Sequence, residues 1–68
     1  MIQEVKTYVC NQTPKDDDIR QIIDIARRDH CCVKLVWYVK YSGRYKVVAD
    51  ETSTIEEVKE QIPKYYPI

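Results

Sequence analysis

The sequence predicts an α+β domain, a two-layer β-α-β-β-α sandwich in which two helices cover one face of a three-stranded sheet, mixed or antiparallel. Three observations predict it. Period-two alternation ends at Cys10 and recurs on both sides of Tyr41-Ser42-Gly43-Arg44, isoleucines recur at helical spacing between Pro14 and Asp29, and a second helical stretch follows Thr52-Ser53-Thr54. A chain of 68 residues has room for one domain, 1–68, and buries only about 60% of its unfolded surface.

Ile2 to Cys10 reads as a strand with Val5, Thr7 and Val9 on one side and Glu4, Lys6 and Tyr8 on the other. Asn11-Gln12-Thr13-Pro14 ends it. Thr13 is a predicted N-cap, Pro14 suits the first helical position, and Asp16 stands where the acid of a capping box would. Asp17 and Asp18 add negative charge to the positive end of the helix dipole. Ile19, Ile22, Ile23 and Ala26 then form a buried stripe, with Ile25 beside it, over a helix running from Pro14 to about Asp29. Asp16 with Arg20, and Asp24 with Arg28, are i, i+4 pairs in the favourable order.

Val33 to Ala49 reads as a β-hairpin, with β-branched and aromatic residues in both arms. A two-residue loop, Ser42-Gly43, would set Val39 against Lys46 and Leu35 against Asp50. A three-residue loop, Tyr41-Ser42-Gly43, with Gly43 left-handed, pairs Val39 with Tyr45, Trp37 with Val47 and Leu35 with Ala49. The second register keeps charge off the apolar side and is the one predicted. The opposite face then carries Lys34, Val36, Tyr38, Lys40, Arg44, Lys46 and Val48.

After the hairpin, Ser53 with Glu56 or Thr54 with Glu57 can form a capping box, opening a helix that buries Ile55, Val58 and Ile62 and stops before Pro63. The tail Lys64-Tyr65-Tyr66-Pro67-Ile68 is expected to pack back on the body. A right-handed crossover carries the first strand over the first helix. The first strand can lie beside the second hairpin arm, antiparallel, or beside the first arm, parallel; the sequence does not decide between them, and the antiparallel place is the favoured expectation. Tyr8, Val36, Tyr38 and Val48 are then expected on the side the helices leave open.

The stretch Val33 to Ile62 locally resembles the opening hairpin and helix of ubiquitin-like β-grasp proteins. The resemblance rests on Tyr41-Ser42-Gly43-Arg44 and on Thr54-Ile55-Glu56-Glu57-Val58-Lys59-Glu60-Gln61-Ile62. It covers under half of the chain, and the strands that follow the helix in that family have no counterpart. It implies shared local geometry and no conjugation function.

Composition narrows the function classes. Eleven basic and eleven acidic residues give a formal net charge of zero, which removes bulk attraction to nucleic acid or anionic lipid. No apolar run reaches the roughly 18 residues of a membrane span, and the first residues lack the layout of a signal peptide, so a cytoplasmic location is expected. Cys10, Cys31 and Cys32 are odd in number and lack the spacing of a disulfide framework, so reduced thiols are expected. A single glycine leaves no phosphate-cradling loop. His30-Cys31-Cys32 with Cys10 offers nitrogen and sulfur ligands but no C-x-x-C knuckle, and Asp16-Asp17-Asp18 lacks the alternation of a calcium loop. No metal, cofactor or catalytic group is therefore assigned, and an enzyme is not expected.

What remains is the open hairpin face. From His30 to Ala49 there is no acid, while Lys34, Lys40, Arg44 and Lys46 surround Tyr38, with Val36 and Val48 as an apolar centre. The expected function is a small non-catalytic interaction module, of adaptor or inhibitor type, that takes a protein partner on this face. Self-association as a homodimer through the same face is the companion expectation. The alternative is single-stranded nucleic acid or RNA, stacked on the aromatic and held through its phosphates.

Overall fold

The computed structural model describes residues 5–66. Its elements are β1 (Val5–Cys10), α1 (Asp16–Asp29), β2 (Cys32–Val39), β3 (Gly43–Ala49) and α2 (Ile55–Lys59), and the sheet order is β1-β2-β3. β1 runs parallel to β2 and β3 antiparallel to it. This is the α+β arrangement predicted, with a mixed sheet. The predicted strand positions Ile2 to Glu4 lie outside the described residues.

Alternation sorts the sheet into two faces. Val33, Leu35 and Trp37 of β2 and Val47 and Ala49 of β3 are each at most 4% exposed. Against them pack Ile19, Ile22, Ile23, Ile25 and Ala26 of α1 and Val58 of α2. Complete burial of such a side chain contributes about 1.5–3 kcal/mol, so this one cluster supplies most of the driving force a small domain has.

The hairpin register differs from the predicted one by two residues. Val39 faces Gly43, Trp37 faces Tyr45, Leu35 faces Val47 and Val33 faces Ala49. A slip of two leaves every side chain on its own face, so the apolar pattern that selected the register could not separate these alternatives. The turn separates them. Ser42 N–H donates to the Val39 carbonyl at 3.0 Å, and Tyr41 takes φ 72°, so the chain reverses one residue earlier and Gly43, at φ 105°, opens β3. Trp37 and Tyr45 thereby stack, with ring centroids 6.0 Å apart.

The expected place of β1 beside β3 is also corrected. Val5 to Cys10 pairs with Cys32 to Trp37. At one end, Lys6 Nζ donates to Asp29 Oδ2, joining β1 to the point where α1 hands over to β2. At the other side of the sheet, Gln61 occupies the outer edge of β3: its Oε1 accepts from Val48 N–H and its Nε2 donates to the Val48 carbonyl, both at 2.9 Å. The slot expected for β1 is blocked there by a side-chain amide.

α1 begins two residues later than expected. Lys15 is the N-cap residue, extended at φ −100°, ψ 173°, and its N–H is taken by Asp18 Oδ2 at 2.9 Å. Thr13, the predicted cap, instead places Oγ1 3.2 Å from Tyr66 Oη. The i, i+4 ion pairs give way to others. Asp16 Oδ1 lies 3.2 Å from Lys59 Nζ of α2, and Arg28 grips its neighbour Asp29 with two hydrogen bonds of 3.1 Å. His30 closes the helix in the left-handed region at φ 50°, and its N–H reaches the Ala26 carbonyl.

Of the two capping boxes open to α2, the one formed is Thr54 with Glu57: Thr54 Oγ1 accepts from Glu57 N–H at 3.3 Å and donates to Glu57 Oε1 at 3.1 Å. Ser53 turns back to Asp50, whose N–H it accepts at 2.9 Å. Val58 is fully buried, and Ile55 and Ile62 pack at the margin of the core. The chain tightens into i+3 hydrogen bonds at Gln61 and Ile62 before Pro63. Tyr66 packs back as expected, whereas Tyr65 is 88% exposed. Pro67 and Ile68 lie outside the described residues.

Candidate functional site

The face of the sheet away from the helices brings most of the predicted binding residues together. Lys34, Val36 and Tyr38 of β2 share it with Arg44, Lys46 and Val48 of β3, because the two-residue change of register preserves the faces. Cross-strand pairing sets Lys34 opposite Val48, Val36 opposite Lys46 and Tyr38 opposite Arg44. Each cation therefore sits against an apolar or aromatic group. Lys40 stands apart from this set: it lies in the turn after β2, with Nζ 5.1 Å above the centre of the Tyr41 ring.

β1 completes the face with residues that the sequence reading did not place there. Val5 lies beside Cys32, Thr7 beside Lys34 and Val9 beside Val36. Their alternation was visible; which alternate set met the helices was not. Tyr8, expected on the open side, pairs with Leu35 and so belongs to the helix side, near Lys6 and Arg28. The reason is the register: laterally paired residues of neighbouring strands share a face, and Tyr8 falls beside Leu35 while Thr7 and Val9 fall beside Lys34 and Val36.

The result is two mixed rows, Thr7-Lys34-Val48 and Val9-Val36-Lys46, ending in the Tyr38–Arg44 pair. Val9 is 78% exposed and Tyr38 67%. A groove of about 690 Å³ on this face is lined by Thr7, Val9, Asn11, Val36 and Tyr38 together with Lys34, Arg44 and Lys46. No carboxylate and no imidazole line it. It offers hydroxyl, amide and cationic donors around apolar surface, a set suited to holding an anionic and partly apolar ligand.

The other groups weighed in the sequence have structural partners. Cys31 is buried in the core, Cys10 and Cys32 are half-buried, and none forms a disulfide. His30 Nδ1 lies 2.8 Å from Glu51 Oε2, tying the end of α1 to the turn after β3. Arg27 reinforces that tie by donating to the carbonyls of Glu51 and Ser53, at 3.2 and 3.4 Å. Among the described residues, no group of three or more His, Cys, Asp or Glu side chains is placed to hold a metal ion. No helix among them is long and apolar enough to cross a membrane.

No protein-family model matches the chain, and neither a curated protein nor a solved structure matches it significantly.

Proposed function

We propose that the protein is a small non-catalytic interaction module, of adaptor or inhibitor type, that binds an acidic surface of another protein on the open face of its sheet. The observation that carries this reading is the composition of that face: Lys34, Arg44 and Lys46 stand among exposed Val9, Tyr38 and Val48, and no acid lines the groove between them. An exposed apolar surface interleaved with charge of one sign supports a recognition surface for a partner of the opposite sign. Location in the cytoplasm belongs to the same proposal.

A second reading keeps the face and changes the ligand. Tyr38 beside Arg44 offers one base a stacking platform next to a phosphate contact. Against it stands the aliphatic make-up of the rest of the face, since valines supply no further stacking surface. Capture from host lysate on the tagged chain, with and without nuclease, separates the two. A specific protein retained after nuclease supports the module; loss of all bound material on nuclease treatment, with affinity falling steeply as salt rises, supports nucleic acid.

A further inference from the structure

We infer that two copies of this chain associate edge to edge, their β1 strands pairing antiparallel about Thr7 to make one continuous six-stranded sheet. The two edges of the sheet are not equivalent. That of β3 is occupied at Val48 by the Gln61 amide, whereas among the described residues no strand or helix pairs with the outer edge of β1. An edge strand turns the N–H and C=O of alternate residues outward, a template for another strand.

The sequence of β1 is complementary to itself. In Val5-Lys6-Thr7-Tyr8-Val9, an antiparallel pairing centred on Thr7 sets Val5 against Val9 of the second copy, Lys6 against Tyr8 of the second copy, and Thr7 against Thr7. The first two pairs each occur twice by symmetry. Val–Val and Thr–Thr are favourable cross-strand pairs, and the aliphatic stem of Lys6 can lie along the Tyr8 ring of the second copy while its ammonium stays on Asp29. Val5 and Val9 are 55% and 78% exposed in the single chain, so pairing would cover surface that the fold leaves open. The pairing closes whichever alternate set of β1 backbone groups faces outward, because both sets are symmetric about Thr7.

Charge favours this mode over pairing through the open faces. Face-to-face contact would set Lys34, Arg44 and Lys46 against the same cations of the second copy. In the continuous sheet the two β3 strands, with Arg44 and Lys46, are five strand spacings apart, about 24 Å at ~4.8 Å each, and the two β2 strands, with Lys34, are three apart, about 14 Å, both beyond a Debye length of about 8 Å. A single short strand pairing buries less than the ~1,200 Å² of a standard interface, so the dimer is weak and dependent on concentration.

Sedimentation equilibrium over a wide concentration range tests this with charge-swapped chains. The native chain is expected to move from monomer to dimer as concentration rises. A Val5→Lys, Val9→Lys chain places two like-charged pairs in the interface and weakens dimerisation by about tenfold or more; a Val5→Glu, Val9→Glu chain does the same. An equimolar mixture of the two restores association, as oppositely charged heterodimers, which unfolded chains would not do. A native chain that stays monomeric throughout, a dimer unchanged in the Lys,Lys chain, or a mixture that fails to recover would each overturn the proposal.

Discussion

The indole N–H of Trp37 donates to the phenol oxygen of Tyr66 at 3.1 Å. Trp37 is the largest fully buried side chain of the core, 1% exposed, and Tyr66 is held a second time by its ring edge against Tyr45, with centroids 4.7 Å apart. Residues far apart in sequence thus close the end of the core.

Tyr66→Phe keeps the ring and removes the acceptor. The buried indole N–H then has no partner from that side chain, an expected loss of about 1–3 kcal/mol. At roughly 4–8 °C per kcal/mol for a domain of this size, thermal unfolding by circular dichroism resolves it. Tyr65→Phe, at an exposed position, is the control and is expected to leave the transition in place.

The turn supplies a prediction of opposite sign. Tyr41 holds φ 72° with its ring in solvent, a conformation that disfavours an L side chain by about 1–2 kcal/mol. Tyr41→Gly relieves it, offset in part by unfolded-chain entropy and by loss of the Lys40 contact, for an expected net gain of about 0.5–1 kcal/mol. Gly43→Ala is expected to destabilise. Nothing lies within 4 Å of the added Cβ, so the loss reflects backbone conformation at φ 105° alone. Urea titration of the pair should move the midpoints in opposite directions.

Asp29 gives the protein an acid-sensitive joint. Its hydrogen bonds from Arg28, first, and from Lys6 hold its carboxyl well below the usual carboxylate range. Thr52 and Ser53 lower Asp50 in the same sense. A carboxyl depressed in the folded state adds stability above its unfolded pKa of about 3.9, and that contribution is lost as pH falls through the folded value. Thermal stability of the native chain should therefore be level from neutrality to about pH 5 and decline below about pH 4. Asp29→Asn should be less stable at neutral pH and show a shallower decline on acidification; identical slopes for the two chains would remove Asp29 from the explanation.

Gln61→Ala opens the second edge of the sheet. Two hydrogen bonds to Val48 are lost, each worth about 1 kcal/mol or less at an exposed site. Amide exchange at Val48 should accelerate more than at Val47, whose neighbours in the ladder are unchanged.

These relationships show what was legible in the chain. Period located all five elements, the Thr54–Glu57 cap marked the start of α2, and alternation in Val33 to Ala49 placed Lys34, Val36, Tyr38, Arg44, Lys46 and Val48 on one face. Questions decided by distant partners were not legible. Alternation cannot detect a slip of two, so Tyr41 rather than Gly43 marking the reversal was hidden in backbone conformation. Nor does it say which strand is a neighbour: β1 lies parallel to β2, where Lys6 meets Asp29, and the outer edge of β3 carries the Gln61 amide at Val48. Thr13 is a sound cap by residue type, and it is drawn instead toward Tyr66.

The open face of the sheet is the proposed binding surface, and its residues can be altered without touching the core. The most direct test compares capture from nuclease-treated host lysate by the native chain and by a Tyr38→Ala, Lys46→Glu chain, both substitutions at exposed positions and the fold checked by circular dichroism. The expected result is a specific protein retained by the native chain and lost by the folded variant. Equal retention of that protein by both chains would contradict the assignment of this face.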